Sequence, residues 1–265
     1  MHNDYLKKMK RIMNRFLIIF LLAIFPLFSF SNSNLERWGD YIDYDVDRAL
    51  KIMNLPNLFY SFGILGGIYI ISKYDENWNR FIHSKYSGKF KTLLNISNEF
   101  GNIIYTIPAV GIAAGISLNT RDNKLQDAAF TSLSSIIISN GFVSLIKFIS
   151  GRSRPEEGKG SYYFRPFSGR ISFPSSHAAS AFALITPWVL YYPNVFTYSL
   201  FIIPVGTGLA RMAKRRHWAS DVIAGSIIGF GVSYLLVKWH KDKYKEDRRQ
   251  NFDNNMMKIN LIIPL

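Results

Sequence analysis

Long uncharged runs constrain this chain more than any other feature. The stretches Ile52 to Ser72, Phe100 to Thr120, Ala128 to Ile146, Ala178 to Ala210 and Val222 to Val237 contain no Asp, Glu, Lys or Arg. A helix that crosses the hydrocarbon core of a bilayer needs about 20 apolar residues. Several of these runs are therefore long enough to span, and the fourth, broken by "YYPN" at residues 191–194, is long enough to span twice. The expected fold class is all-α, a polytopic helical membrane bundle of about five or six transmembrane helices.

Charge is the next constraint. Thirty-two Lys and Arg against 18 Asp and Glu leave a net charge of +14. That excess does not point to nucleic acid, because it collects at the ends of the apolar runs, in "KKMKR", "SKYSGKFK" and "KWHKDKYKEDRR". Membrane orientation rules place cations there, and at a membrane surface they attract anionic lipid. The partners expected are the bilayer and a membrane lipid, with no nucleic acid. The chain has no cysteine, which removes disulfides and thiolate chemistry.

Four regions follow from composition. Residues 1–33 read as a signal peptide or N-terminal membrane anchor, since "MNRFLIIFLLAIFPLFSFSNS" has a basic start, a short charge-free core and small polar residues after it. Residues 34–91 form an amphipathic, membrane-associated segment. In it Ile42, Val46, Ala49, Leu50 and Met53 recur at helical spacing, which fits a helix lying on the membrane or a solvated linker helix. Residues 92–238 hold the principal domain, and 239–265 form a basic polar tail.

Within the principal domain, crossing after crossing returns three polar clusters to one membrane face. Lys147, Arg152, Arg154 and Pro155 form the first; proline holds the residue before it extended, and cations without matching carboxylates call for an anion. "PSSHAAS" is the second: a helix beginning after Pro174 has Ser175 as its cap, Ser176 among the first free N–H groups and His177 in the first turn, a ready phosphate cradle. "ARMAKRRHWASD" is the third. His217 and Asp221 are four residues apart, on one face if a helix begins near His217. The carboxylate then accepts the proton of one ring nitrogen and leaves the other free as a nucleophile. Arg211 stands at the end of the preceding run, able to fork onto phosphate oxygens.

The ordered set Lys147-x6-Arg154-Pro155, Pro174-Ser175-Ser176-His177 and Arg211-x5-His217-x3-Asp221 resembles the three-part signature of the type 2 phosphatidic acid phosphatase superfamily, over about residues 92–238. Two positions depart from it: Ser176 stands where the family usually has Gly, and Ala210 where it usually has Ser. The resemblance implies that His217 is the nucleophile that forms a phosphohistidine, with Asp221 holding its tautomer. It implies that His177 protonates the departing alcohol and then activates water, and that Lys147, Arg154, Ser175, Ser176 and Arg211 bind phosphate. Fixed cations take the place of a metal, so no metal and no cofactor is expected.

The function implied is an integral membrane phosphatase for a lipid phosphate monoester or diphosphate. Alternatives are a vanadium-dependent haloperoxidase-like enzyme and a non-catalytic lipid-phosphate binding or transport protein. A transporter is expected to place ionisable groups mid-membrane, whereas these cluster at one end. The basic tail favours a cytoplasmic C-terminus and a site facing the periplasm from a bacterial inner membrane. A cleaved signal would also put Asn34 outside, so that one run before Arg154 must fail to cross; Ile52 to Ser72, with Pro56, Gly63, Gly66 and Gly67, is the expected one.

Overall fold

The computed structural model describes the backbone of residues 32–52 and 55–262, with side chains within 35–52 and 62–253. Residues 1–31 of the signal or anchor segment lie outside these. The helices are α1 (Asn32–Ile52), α2 (Leu55–Ser72), α3 (Asp75–Ser84), α4 (Gly88–Glu99), α5 (Ile103–Ser117), α6 (Asn123–Ser150), α7 (Ser176–Tyr191), α8 (Val195–Ser199), α9 (Ile202–Ala213) and α10 (Ala219–Ile262). Among the described residues there is no strand, only an isolated antiparallel bridge between Arg152 and Phe164. The chain is an all-α membrane bundle. Residues 239–262 of the expected tail continue α10.

Local chemistry sets the helix ends. Asp122 caps α6 by accepting from the N–H groups of Lys124 and Leu125 at 2.9 and 3.1 Å, and Gly151 closes it at φ 55°. That conformation is open to glycine, and a Cβ there would lie 1.8 Å from the carbonyl oxygen of Arg165. Ser175 caps α7, accepting from Ala178 N at 3.4 Å.

The bundle is apolar outside, and many polar residues lie among the apolar ones inside. Phe62, Leu65, Tyr69, Ile104, Ile116, Phe142, Leu145, Phe196 and Ile202 are exposed, while Ser132, Ser139, Ser180, Thr131, Thr186 and Ser233 are buried. An outer surface this apolar needs lipid around it; some of the inner hydroxyls link helices, while those of Ser139 and Thr186 have no hydrogen-bond partner. Asn140 of α6 donates to Ser180 Oγ of α7 at 2.9 Å, and Ser132 to the carbonyl of Leu184 at 2.6 Å.

Among the described residues three helical stretches, 123–150, 195–213 and 219–253, are long and apolar enough to cross a membrane, and α4 with α5, bent by 56°, makes a fourth if it counts as one span. Central α7 has 16 residues and is covered by its neighbours, so it runs between the same two ends in fewer turns.

Contacts settle the path of the segment at Ile52 to Ser72. At one end, Tyr44 and Arg48 of α1 reach Glu246 of α10 at 3.0 and 3.4 Å, and Asp45 meets the buried His240 at 3.0 Å. At the other end, Asp75 binds Arg152 and Ser220. The 18 residues of α2 rise about 27 Å, and the chain passes from one end of the bundle to the other between Ile52 and Asp75. The sequence leads us to expect that this run does not cross, and within the bundle it extends from end to end. The helix continues through Gly63, Gly66 and Gly67, with Phe62, Ile64, Leu65, Tyr69 and Ile70 exposed and Ile71 packed against the core. Helix α1 lies at the end opposite the three polar clusters, with Trp38 and Tyr41 buried against α5 and α6 and with Ile42, Val46 and Leu50 exposed.

The closest approach in the bundle is α10 on α7. A Cβ on Gly225 would lie 2.2 Å from the carbonyl oxygen of Ser175, and one on Gly229 2.2 Å from that of Ala179. Glycines four apart let the two backbones touch and bring Asp221, one turn earlier, against Ser175, whose N–H donates to the Asp221 carbonyl at 2.9 Å. Gly225→Ala and Gly229→Ala are each expected to cost about 2 kcal/mol or more by overpacking, seen as a lower thermal midpoint in detergent. Gly231→Ala, with open space at its Cβ, should leave the midpoint unchanged or higher.

Candidate active site

The three clusters meet at one end of the bundle. Lys147 is in the last turn of α6, Ser175, Ser176 and His177 open α7, Arg211 is in the last turn of α9, and Asp221 is in the first turn of α10. His217 lies in the turn between α9 and α10. The charges of Arg211, His217 and Lys147 all act on the ring of His177, and those of Asp221, Arg154 and Arg211 act on Lys147. Every residue singled out from the sequence is therefore brought into one neighbourhood.

The turn carrying His217 is stapled from both sides. The Arg216 and His217 N–H groups both donate to the carbonyl of Arg211, at 3.0 and 3.3 Å. Trp218 Nε1 donates to Ser153 O at 2.9 Å, and Glu156 N donates to Arg215 O at 3.1 Å. The loop after α6 is thereby docked onto the turn.

His217 Nδ1 lies 2.7 Å from the carbonyl oxygen of Ser172. A carbonyl only accepts, so Nδ1 carries the ring proton and Nε2 is left with its lone pair free. This differs from the expectation that Asp221 accepts that proton: Asp221 Oδ2 is 3.7 Å from Nδ1, an ion-pair distance. The carboxylate is engaged elsewhere, with Oδ1 accepting from Arg152 Nη1 at 2.6 Å and Oδ2 accepting from Ser172 Oγ at 2.6 Å and Trp218 N at 2.9 Å. Asp221 acts on the ring through its charge, and it holds Ser172 in place by the hydroxyl.

Burial, partly opposed by Asp221, pushes the His217 imidazole down to about 4 from the usual 6.5. The neutral ring is the form that can attack an electrophile.

The three cations of the first cluster divide. Arg152 is 1% exposed. Its Nε and Nη2 donate to Ser161 O at 2.8 and 2.6 Å, Nη1 to Ser220 Oγ at 2.7 Å and to Asp221, and Nη2 to Asp75 Oδ2 at 2.7 Å. All five guanidinium donors are used, so none remains for a ligand, and the reading that these cations lack carboxylates is corrected for Arg152. Arg154 is extended, at φ −82° and ψ 155°, as a residue before proline should be. Its buried Nε has no partner, and neither has the buried Nε of Arg211. Buried charged donors in that state are costly and are complemented by an anion. Lys147 Nζ donates to the carbonyl of Ile171.

Ser175 is fully buried, and Ser176 is the first residue of α7, where backbone N–H groups lack intrahelical acceptors. Ala210 is fully buried and brings no hydroxyl to the site. No group of His, Cys, Asp or Glu suited to a metal ion occurs among the described residues. Asp75, Ser172 and Ser220 were not legible as site residues, and Arg152 reads in the sequence as one of the anion-binding cations. Their roles depend on a helix and a loop whose approach has no spacing signal, although "GRSRP" did flag two arginines of which one had to turn inward.

The pH dependence of stability follows from His217. The unfolded chain binds its proton near 6.5 and the folded protein only near 4, so stability is lost as pH falls through that window. His217→Gln should remove its share of the acid loss, measured as the thermal midpoint in detergent from neutral pH down to about 4.

Comparison with known proteins agrees with this geometry. The model of the PAP2 superfamily matches residues 128–245. Lipid A 1-phosphatase of Porphyromonas gingivalis is 33% identical over 98 residues, 36% of this chain and 20% of that protein. Lipid A 1-phosphatase of Rhizobium etli is 31% identical over 105 residues, 38% of this chain and 45% of that protein. The Rhizobium johnstonii protein of the same name is 31% identical over 107 residues, 38% and 43%. The chain spans less than half the length of these relatives, and no solved structure matches it. The matched residues 128–245, which carry all three clusters, are similar to the PAP2 superfamily.

Proposed function

We propose that the protein is a membrane phosphatase that hydrolyses a lipid phosphate at the bilayer rim, without metal, through a phosphohistidine. The observation that carries this is the pairing of a neutral His217 with free Nε2 and two half-buried arginines, Arg154 and Arg211, whose buried Nε atoms lack partners. Nε2 attacks phosphorus and the bond to the lipid oxygen breaks. His177 gives that oxygen a proton, then takes one from the water that cleaves the phosphorus–nitrogen bond. Lys147, Arg154, Arg211, Ser175 and the N–H of Ser176 hold the three equatorial oxygens, where charge spreads as the phosphoryl group moves.

Lipid as the carrier of the phosphate is supported by a largely apolar groove of about 560 Å³ beside the site, bounded by Trp78, Ile82, Phe182, Met212 and Val222. The relatives are named for lipid A, which makes a lipid A phosphate the first substrate to test. The protein sits in a bacterial inner membrane with this site toward the periplasm. That sidedness is supported by the basic residues of 238–249 at the end opposite the site, since cations are retained on the cytoplasmic side.

Phosphate release by detergent-purified protein in EDTA tests the reaction. Activity is expected without added metal, falling to background in His217→Ala and by about 10²- to 10⁴-fold in His177→Ala. An unchanged rate in His217→Ala, or a need for added metal, overturns the mechanism. The chain has no cysteine, so single cysteines report sidedness. Lys159→Cys should react with an impermeant maleimide from the periplasm, and Asn119→Cys only once the inner membrane is opened.

A further inference from the structure

Helix α3 lies outside the matched residues 128–245, yet one face of it is bonded to both sides of the turn that carries His217. Asp75, Asn79 and His83 are spaced by four, on one stripe of the helix. Asp75 Oδ1 accepts from Ser220 N at 2.8 Å, and Oδ2 accepts from Ser220 Oγ at 2.6 Å and from Arg152 Nη2 at 2.7 Å. Asn79 Nδ2 donates to Met212 O at 3.2 Å, and His83 Nδ1 lies 2.7 Å from Ala213 O.

These partners are helix-end groups. The first N–H groups of α10 and the last carbonyls of α9 have no partner within their own helices. Position 218, just before α10, is Trp, whose side chain cannot cap it and donates instead to Ser153 O. Asp75 supplies the missing cap from another helix, and its negative charge also suits the positive end of α10. Through Arg152 it fixes Asp221, which fixes Ser172, whose carbonyl orients His217. Asn79 and His83 anchor the other side of the turn next to Arg211.

We infer that α3 is a strap across the nucleophile turn, with Asp75 as a positioning residue that sets the angle of His217 without touching substrate. The kinetic form of this inference rests on the phosphatase reading above, and its structural form does not. Supporting groups of this kind are worth about 10- to 100-fold in other sites. Asp75→Asn, in the full chain, should lower kcat by about that factor, with KM for the lipid phosphate and inhibition by inorganic phosphate changed less than about threefold, because Arg154 and Arg211 are untouched. In the same variant, hydrogen exchange at the amides of 218–222 should speed up, whether or not the wild-type protein releases phosphate.

A folded Asp75→Asn protein with wild-type kcat overturns the inference, as does a kcat that falls only in proportion to the folded fraction. If Asp75→Asn does not fold, Ser220→Ala and Asn79→Ala decide: each removes part of the strap and should lower kcat by about 3- to 10-fold, and wild-type values in both overturn it. Wild-type protein inactive on every lipid phosphate, with faster exchange in Asp75→Asn, would remove the phosphatase reading and leave the strap standing.

Discussion

The buried guanidinium of Arg152 is the interaction on which the rest of this end of the bundle depends. Taking an ion out of water costs several kcal/mol unless partners replace the lost hydration. Here two carboxylates, one hydroxyl and one carbonyl replace it fully. Those partners come from α3, from the loop after α6 and from α10, so the charge can be buried only if all three assemble. Removing Asp75 or Asp221 would leave it uncompensated. The cluster therefore enforces a single arrangement of elements that are otherwise joined by irregular chain.

The bilayer imposes the complementary constraint. Apolar side chains gain nothing by facing inward when lipid surrounds the protein, so the helices are joined by close backbone approach at Gly225 and Gly229 and by hydroxyl and amide contacts such as Asn140 with Ser180. A second polar cluster holds the far end, where His240 lies between Asp45 and Thr131 at 3.0 and 2.8 Å and stacks on Tyr41 with ring centres 4.3 Å apart. Charge is confined to the two ends, and between them the bundle is sealed by small residues. The candidate site at one rim thus faces both water and the apolar groove beside Met212, as a lipid headgroup attached to its chains would require.

Particular residues show how far the sequence could be read. Arg152 and Arg154 have the same chemistry and are two positions apart, yet one is locked inside and the other keeps an unpartnered buried nitrogen. The direction in which each points is set by the bridge to Phe164 and by Pro155, and composition is silent on the first of these. The four-residue spacing of His217 and Asp221 brought the pair together, but the ring's hydrogen bond went to Ser172 O, a backbone atom of an irregular loop that no side-chain pattern marks. That the run at Ile52 to Ser72 extends the length of the bundle was not legible in its glycines and proline, since orientation rules balance charges across loops and take no account of α1 being pinned to the opposite end by Asp45, Tyr44 and Arg48.

By itself the sequence determined the all-α membrane bundle, the return of three polar clusters to one face and the residues meeting there, because the length of apolar runs and the spacing of charged groups are local properties. Tertiary structure alone decided which cation is spent on holding the fold, which atom fixes the tautomer of His217, and that α3 closes over its turn. Each of these depends on distant backbone groups meeting at hydrogen-bond range, and that distance is created only when the helices pack.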